Sequence, residues 1–298
     1  MWLLTFGSVL LNTMNDIANI SSNHVSIPRT EEKIQILEQE MMQMPQVECS
    51  VEHIFGPNVY IRQVTIPADT FSIGHYQNTE HLNIMLKGRV TMVNEDGSHT
   101  ELIAPVTFVS KPGRKVGYIH ETMVWQNVYA TNETSVEKLE EKYITKSITW
   151  QEQQKAQQML LSYDMSEDVA DYYKTLEEYG FDHETVLQQV LNEEDQIQMP
   201  FGSWKFTVAP SRIEGYGVFA TSNLEKDTVV GPARIEGKRT PLGRYTNHSK
   251  TPNAKMVLKE NGDIDLVMLN PVSGCMGGQL GSEITVDYRQ VLNLSLNG

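Results

Sequence analysis

The segment at residues 244–253 carries the densest group of chemically capable side chains in the sequence. It holds Tyr245, Asn247 and His248, so a phenol, an amide and an imidazole lie close together in the chain. Such groups can hold a ligand by hydrogen bonds and orient a reacting atom without a strong base. Because a plain solvated loop has no need of an Asn-His pair, the segment predicts a binding or catalytic site.

Two more segments frame this one. Upstream, Gly215-Tyr216-Gly217 forms a glycine turn that enters a strand, and glycine permits close approach of the backbone to a ligand. Downstream, a β-type stretch at residues 283–288 ends in the phenol of Tyr288. Taken alone, the glycines are as well explained by a β-turn, and Tyr288 by a buried tyrosine at a strand end.

In this order and spacing, the three segments resemble the SET domain, the fold of protein lysine methyltransferases that use S-adenosylmethionine. The family pattern is a GxG turn, an RxxNHSxxPN segment and an E-L/I-x-x-D-Y segment, and all three are present. The resemblance implies S-adenosyl-L-methionine as cofactor and a protein lysine side chain as substrate. It also implies five cofactor-binding residues, namely Gly215, Tyr216, Gly217, Asn247 and His248.

The same resemblance gives Tyr288 the main catalytic role and places Tyr245 beside the lysine channel. The lysine amine must arrive neutral for methyl transfer, although free lysine has a pKa of about 10.4. An apolar, aromatic channel disfavours the charged amine, and tyrosine hydroxyls can then align it with the methyl group. Two alternatives stay open: Tyr245 packs in the core, and Asn247 and His248 lock a knot-like crossing of the chain.

Residues 47–146 show a different pattern, with short alternating runs separated by turns. Many short strands with such spacing predict a β-barrel or a sandwich. Residues 75–88 and residues 112–120 resemble the two motifs of the cupin family, which are small β-barrels. Gln77 and His81 depart from the family pattern, which has a histidine and a glutamate at these positions.

A metal site in this barrel is the second expectation. Residues 75, 77 and 81 share parity, so alternation along a strand sends them to one interior face. With His120 from a neighbouring strand, His75 and His81 would supply three imidazoles, which suit a divalent transition metal. The alternative is that these histidines are structural and that the barrel is a metal-free module for dimerisation or docking.

The expected fold class is mainly β with α, in four parts. Residues 1–29 are an N-terminal tail, and residues 30–146 are a cupin-like β-barrel with a leading helix that Thr30 caps. Residues 147–200 form a helical bridge. Residues 201–298 form a SET-like β-fold with a pseudoknot-like crossing.

The net charge and the cysteine content indicate which kinds of partner and which cellular compartment to expect. The 298-residue chain has a formal net charge of −14, which argues against nucleic acid and favours a basic, lysine-bearing protein. The apolar N-terminal stretch is too short for a membrane-spanning helix. Cys49 and Cys275 form no CxxC pair, so a cysteine-held zinc is excluded and a reducing, cytoplasmic location is expected.

Few residues follow Tyr288, so the lid that closes the lysine channel must come from the barrel, from the helical bridge or from another subunit. A homo-oligomer is therefore expected. The function predicted from the sequence is S-adenosylmethionine-dependent methylation of a protein lysine. The alternative is a non-catalytic structural or interaction protein that uses both folds as assembly modules.

Overall fold

The computed structural model describes residues 2–5, 30–161 and 166–297, and within them the protein is mainly β with helices, as predicted. The strands are β1 (Trp2–Thr5), β2 (Ser50–Gly56), β3 (Val59–Ile66), β4 (Thr70–Ile73), β5 (Tyr76–Gln77), β6 (His81–Val93), β7 (His99–Ile103), β8 (Val106–Ser110), β9 (Val116–Ala130), β10 (Ile144–Thr145), β11 (Gly202–Trp204), β12 (Phe206–Pro210), β13 (Tyr216–Ala220), β14 (Val229–Ile235), β15 (Lys238–Arg239), β16 (Asn247–His248), β17 (Ala254–Leu258), β18 (Ile264–Met268) and β19 (Glu283–Val286). The helices are α1 (Glu31–Met42), α2 (Val136–Tyr143), α3 (Ile148–Leu161), α4 (Ser166–Tyr179), α5 (His183–Leu191), α6 (Pro241–Tyr245) and α7 (Tyr288–Asn297).

The first half is built around one curved sheet with β9 at its centre. The sheet runs β1-β4-β9-β3-β2-β11, and β6 pairs with β7, β8 and β9. The pleat sends Val64 and Ile66 of β3 to the inner face, where their partners in β9 are Trp125 and Met123. These side chains form a buried apolar cluster that fills one end of the interior. Trp2–Thr5, part of the predicted tail, pairs with β4.

Helix α1 closes one side of this sheet. Thr30 caps it as predicted, because the Lys33 backbone N–H donates to the Thr30 hydroxyl at 3.4 Å. Ile34 and Met41 lie on its buried face and join Ile73 of β4 in a second apolar cluster. The helix therefore fixes the edge of the sheet where β4 ends.

Helices α3, α4 and α5 occupy the region predicted as a helical bridge. Helix α4 ends at Gly180, whose positive φ of 71° is readily adopted by glycine. Asp182 then caps α5 by accepting a hydrogen bond from the Thr185 N–H at 2.8 Å. No helix in the part of the chain that the structure describes is long and apolar enough to cross a membrane.

The last third contains two four-stranded sheets, ordered β12-β13-β19-β16 and β15-β14-β18-β17. Strand β16 pairs with β19 in parallel, so Asn247 lies opposite Thr285 and His248 opposite Val286. The buried core is continuous with the sheet of the first half, because Tyr129 and Phe206 belong to one apolar cluster. The parallel pair places the predicted Asn-His segment directly beside the last strand.

Candidate functional site

The side chain of Asn247 joins the glycine turn to the last strand. Its amide Nδ2 donates to the carbonyl oxygens of Glu214 and Tyr216, both at 3.1 Å, and to Glu283 Oε1 at 2.9 Å. The two carbonyls flank Gly215, so the amide holds the turn on both sides. The structure thus brings together the first two segments that the sequence singled out.

The two glycines of the turn differ in their surroundings. Gly215 has a positive φ of 49°, and a Cβ placed on it would meet no atom within 4 Å. A Cβ on Gly217 would instead collide with the carboxylate of Glu283. The backbone is therefore open to a ligand at Gly215, whereas Gly217 makes room for a side chain of the protein itself.

His248 is fully enclosed, and both of its ring nitrogens have partners. Its Nε2 lies 3.0 Å from Asp171 Oδ2, and its Nδ1 accepts the backbone N–H of Tyr288 at 3.1 Å. These partners assign the ring proton to Nε2. The amide hydrogens of Asn247 and both ring nitrogens of His248 are therefore occupied by contacts that lock the crossing of the chain. A cofactor would contact only the backbone groups of these two residues.

Thr246 is linked to both predicted catalytic tyrosines, because Tyr245 precedes it in the chain and the Tyr288 hydroxyl contacts its carbonyl oxygen. The Tyr288 hydroxyl donates to the Thr246 carbonyl oxygen at 3.2 Å, and burial raises the pKa of Tyr288, so the phenol stays protonated. The Tyr245 ring centroid is 6.2 Å from that of Tyr216, which is exposed. A phenol and a carbonyl oxygen are thus held together one residue after Tyr245, whose ring lies near that of the exposed Tyr216.

Helix α4 covers this region through two carboxylates that the sequence analysis did not single out. Asp168 accepts hydrogen bonds from the Ser249 hydroxyl at 2.9 Å and from the Lys250 N–H at 2.7 Å. Asp171 accepts two from the guanidinium of Arg289, at 2.8 and 3.2 Å. These contacts join distant parts of the chain, so no local pattern in the sequence could reveal them.

The Asp171 contacts predict an acid-sensitive attachment of α4. Hydrogen bonding to Arg289 lowers the pKa of Asp171 to about 2, against the opposing effect of burial. A depressed folded-state pKa contributes stability that is complete above the unfolded value of about 3.9 and is lost as the pH falls through the folded value. We expect the free energy of unfolding, measured in urea at several pH values, to fall as the pH drops from about 4 towards 2.

The variant Asp171→Asn should remove that part of the pH dependence. Glu177→Gln provides the matched control, because Glu177 is an exposed carboxylate on the same helix. A profile for Asp171→Asn that follows the wild-type slope between these pH values would show that the carboxylate does not hold the helix.

A second candidate site is a cavity of about 70 Å³ inside the sheet of the first half. Its floor is apolar, and its polar wall is formed by His75, Gln77, Asn127 and two cationic side chains, Arg62 and Lys115. No aspartate or glutamate is among the described residues that line it. The wall of the cavity is therefore positively charged, although the whole chain carries a net charge of −14.

Lys115 and His81 form a fixed pair at this wall. The Lys115 ammonium donates to His81 Nε2 at 3.2 Å, and His81 Nδ1 donates to the Thr79 carbonyl oxygen at 2.9 Å. Burial lowers the pKa of Lys115 to about 8 and also lowers the pKa of His81. At neutral pH the lysine is therefore mostly charged and the imidazole is neutral, with its lone pair already occupied.

The structure does not bring the three predicted metal ligands together. Ile119 lines the cavity, so alternation turns His120 to the opposite face, where the Thr91 hydroxyl lies 2.7 Å from its Nε2. His120 also lies opposite residues 89–90 of β6, whereas His81 begins that strand. At about 3.3 Å per residue, the two histidines are on the order of 25 Å apart along β6.

The remaining residues do not fit a metal cation either. His75 does line the cavity, but the ammonium of Lys115 occupies the lone pair of His81 and would repel a cation. Among the described residues there is no group of three His, Cys, Asp or Glu side chains that could hold a metal ion. Parity correctly places His81 inside, but it says nothing about what else faces it.

Arg62 is the residue of this wall that sequence reasoning missed. It lies in β3 opposite His53 of β2 and Asn127 of β9, so the three form one cross-strand row. A signal was present, because Arg62 has the parity of Val64 and Ile66 in a run predicted as a strand. A charged residue at an inward position of such a run indicates a polar interior.

Comparisons with known proteins concern the fold alone. The sequence matches no family model and no curated protein. Among solved structures, it is similar to an RmlC-like cupin family protein with a double-stranded β-helix fold from Methanocaldococcus jannaschii (19% identity, 28% of this chain, 81% of that chain, TM-score 0.25). It is also similar to a cupin domain from Bordetella pertussis (13% identity, 30% and 98% covered, TM-score 0.23). Both are cupin proteins, the family whose two motifs residues 75–88 and 112–120 resemble.

Proposed function

We propose that the protein transfers a methyl group from S-adenosylmethionine to a lysine side chain of another protein. The observation that carries this proposal is the convergence of three separated segments on Asn247 and His248. The Asn247 amide holds the turn at Gly215, and the parallel pairing of β16 with β19 brings the Tyr288 hydroxyl to the Thr246 carbonyl. These are the segments that carry the SET-domain resemblance.

The residues present fit the cofactor at the glycine turn. The open space at Gly215 leaves its backbone accessible, and the exposed ring of Tyr216 stands beside it. S-adenosylmethionine would be held by the side chain of Tyr216 and by the backbone groups of Gly215, Gly217, Asn247 and His248. When bound, this cofactor supplies an activated methyl group.

The protein's own contribution would be to hold the lysine amine in its neutral form. Aromatic rings disfavour the charged amine by desolvation, and Tyr172 of α4 adds a ring centred 6.0 Å from that of Tyr288. The protonated Tyr288 hydroxyl and the Thr246 carbonyl can align the amine. Helix α4 thus supports the expectation that the helical bridge supplies a lid.

The net charge of −14 supports a basic, lysine-bearing protein as the partner, because it would be steered towards an acidic surface. The expectation of a cytoplasmic location belongs to the same proposal.

Replacing Tyr288 by phenylalanine tests the proposed function. We expect the change to lower radiolabelled methyl transfer to a proteome extract by about a hundredfold, because the amine loses its orientation. Affinity for S-adenosylmethionine, measured by titration calorimetry, should stay nearly unchanged. Tyr118→Phe is the matched control, since its hydroxyl donates to Asp69 on the sheet of the first half. Absence of cofactor binding to the wild type, or full transfer by Tyr288→Phe, would refute the proposal.

The alternative function, a non-catalytic structural or interaction protein, is favoured by one observation. The polar groups of His248, Ser249 and Lys250 are occupied by Asp168 and Asp171 of the same chain. In this alternative the site is a joint between α4 and the last third, and the sheet of the first half mediates a homo-oligomer. Light scattering that shows an oligomer, together with no calorimetric signal for S-adenosylmethionine, would favour it.

A further inference from the structure

We propose that the cavity inside the sheet of the first half binds a short-chain organic carboxylate. Its head group would lie against Arg62 and Lys115, and its alkyl part would lie on the apolar floor. The inference is independent of methyl transfer, because it concerns a different part of the chain. It also agrees with the separation of His120 from His81, since a cavity with two cations suits an anion rather than a metal ion.

The state of Arg62 is the first argument. Its Nε is buried without a hydrogen-bond partner, and no carboxylate of the described residues forms an ion pair with its guanidinium. The nearby carboxylate of Glu140 is instead paired with Lys146 at 2.7 Å. Burial opposes the charge, but nearby Glu140 keeps the pKa of the Arg62 guanidinium raised, so the side chain stays cationic while its Nε has no hydrogen-bond partner. A ligand carboxylate would supply the missing partner, in the bidentate geometry that arginine favours.

The second argument concerns Lys115. An ammonium group has three N–H donors, and one of them is given to His81. No other hydrogen bond from Lys115 to the described residues is formed, so further donors remain for a ligand. Because Lys115 and Arg62 line the same cavity, two sources of positive charge face one small space.

The size and floor of the cavity select the class of anion. A volume of about 70 Å³ exceeds that of one water molecule roughly fivefold, which suits a ligand of few atoms. The floor is made of Val64, Ile66, Ile119 and Met123. An inorganic phosphate would leave this apolar surface uncovered, whereas a short alkyl chain would bury it. The combination favours a small carboxylic acid such as butyrate.

The proposal is tested by titration calorimetry and thermal shift on the full chain, with three probes. Butyrate carries both features, butyramide has the same shape without the charge, and inorganic phosphate has the charge without the alkyl part. We expect butyrate to bind and to raise the melting temperature, whereas butyramide and phosphate do neither. The preference for butyrate over butyramide can be measured on the wild type alone, so it does not depend on the folding of any variant.

Lys115→Met removes one charge and keeps the length of the side chain. Charge-assisted hydrogen bonds predict a loss of butyrate affinity of about tenfold or more. Lys111→Met is the matched control, because Lys111 is an exposed lysine in the preceding turn, and it should bind butyrate like the wild type. The proposal is overturned if butyrate does not bind, if butyramide or phosphate binds as well, or if Lys115→Met folds and keeps full affinity.

Discussion

Replacing Glu38 by methionine is expected to lower the free energy of unfolding by about 3 kcal/mol or more. Glu38 lies on the inner face of α1, where it is fully buried and pairs with Arg114. The pair is bidentate, with distances of 2.6 Å from Nη2 to Oε1 and 3.3 Å from Nη1 to Oε2. Loss of the carboxylate leaves a buried guanidinium without its main counter-charge. Urea denaturation, followed by circular dichroism, measures the change.

Glu31 provides a control on the same arginine. It also forms an ion pair with Arg114, at 3.3 Å, but about half of its side chain is exposed. Glu31→Gln should therefore cost less than about 1 kcal/mol. The double variant with methionine at positions 38 and 114 should regain most of the stability, because both charges of the buried pair are removed together. Equal losses for Glu38→Met and Glu31→Gln would contradict the assignment of the stability to the buried pair.

Local patterns in the sequence predicted local structure well. The run at residues 59–66 was predicted as a strand and is observed as β3, because alternation of inward and outward residues is a property of neighbouring positions. Thr30 was predicted to cap the first helix and does so. Three chemically capable segments were expected to meet near Asn247, and the structure brings them into contact.

The predicted metal site shows the limit of predictions from strand alternation. Parity gives the face of a strand on which a residue lies, but not its position along a neighbouring strand. The pairing of β6 with β9 shifts register between Met85 and Val90, and this irregularity could not be derived from the sequence. His120 was expected beside His81, but the strand pairing places it opposite residues 89–90, near the other end of β6, and on the face opposite to Ile119, which lines the cavity.

Contacts between segments that are far apart in the sequence are the second kind of feature that could not be predicted. Arg289 meets Asp171, and Lys115 meets His81, through the folding of the whole chain. Each of these residues has an ordinary local context in the sequence. The tertiary fold determines which charged group faces each predicted residue. Lys115 occupies His81, which therefore does not suit a metal ion, and Asp171 occupies the His248 ring, which is therefore not available to a cofactor.

Replacing Asn247 by alanine is the second change with a large expected effect. The variant loses all three hydrogen bonds of the amide, and it leaves the Glu214 and Tyr216 carbonyls and the Glu283 carboxylate without this donor. We expect the free energy of unfolding to fall by about 2 kcal/mol, at roughly 1 kcal/mol for each of the two carbonyls, because Glu283 Oε1 keeps the Ser211 hydroxyl as a donor at 2.7 Å. Asn261→Ala removes two hydrogen bonds to Asp263 at an exposed turn and should cost less than about 0.5 kcal/mol.

Asn253 separates a locking role of Asn247 from a role in holding the cofactor. It ties the same region to β19, donating to the Glu283 carbonyl at 2.8 Å and accepting the Thr285 N–H at 2.9 Å, but it is not among the predicted cofactor residues. If Asn247 only locks the crossing, Asn247→Ala and Asn253→Ala should both lose stability and keep similar affinity for S-adenosylmethionine below their melting temperatures. If the Asn247 side chain also contacts the cofactor, in addition to its backbone, only Asn247→Ala should lose affinity. A loss of stability below about 1 kcal/mol for Asn247→Ala would contradict the locking role, because the Glu214 and Tyr216 carbonyls must then have found other donors.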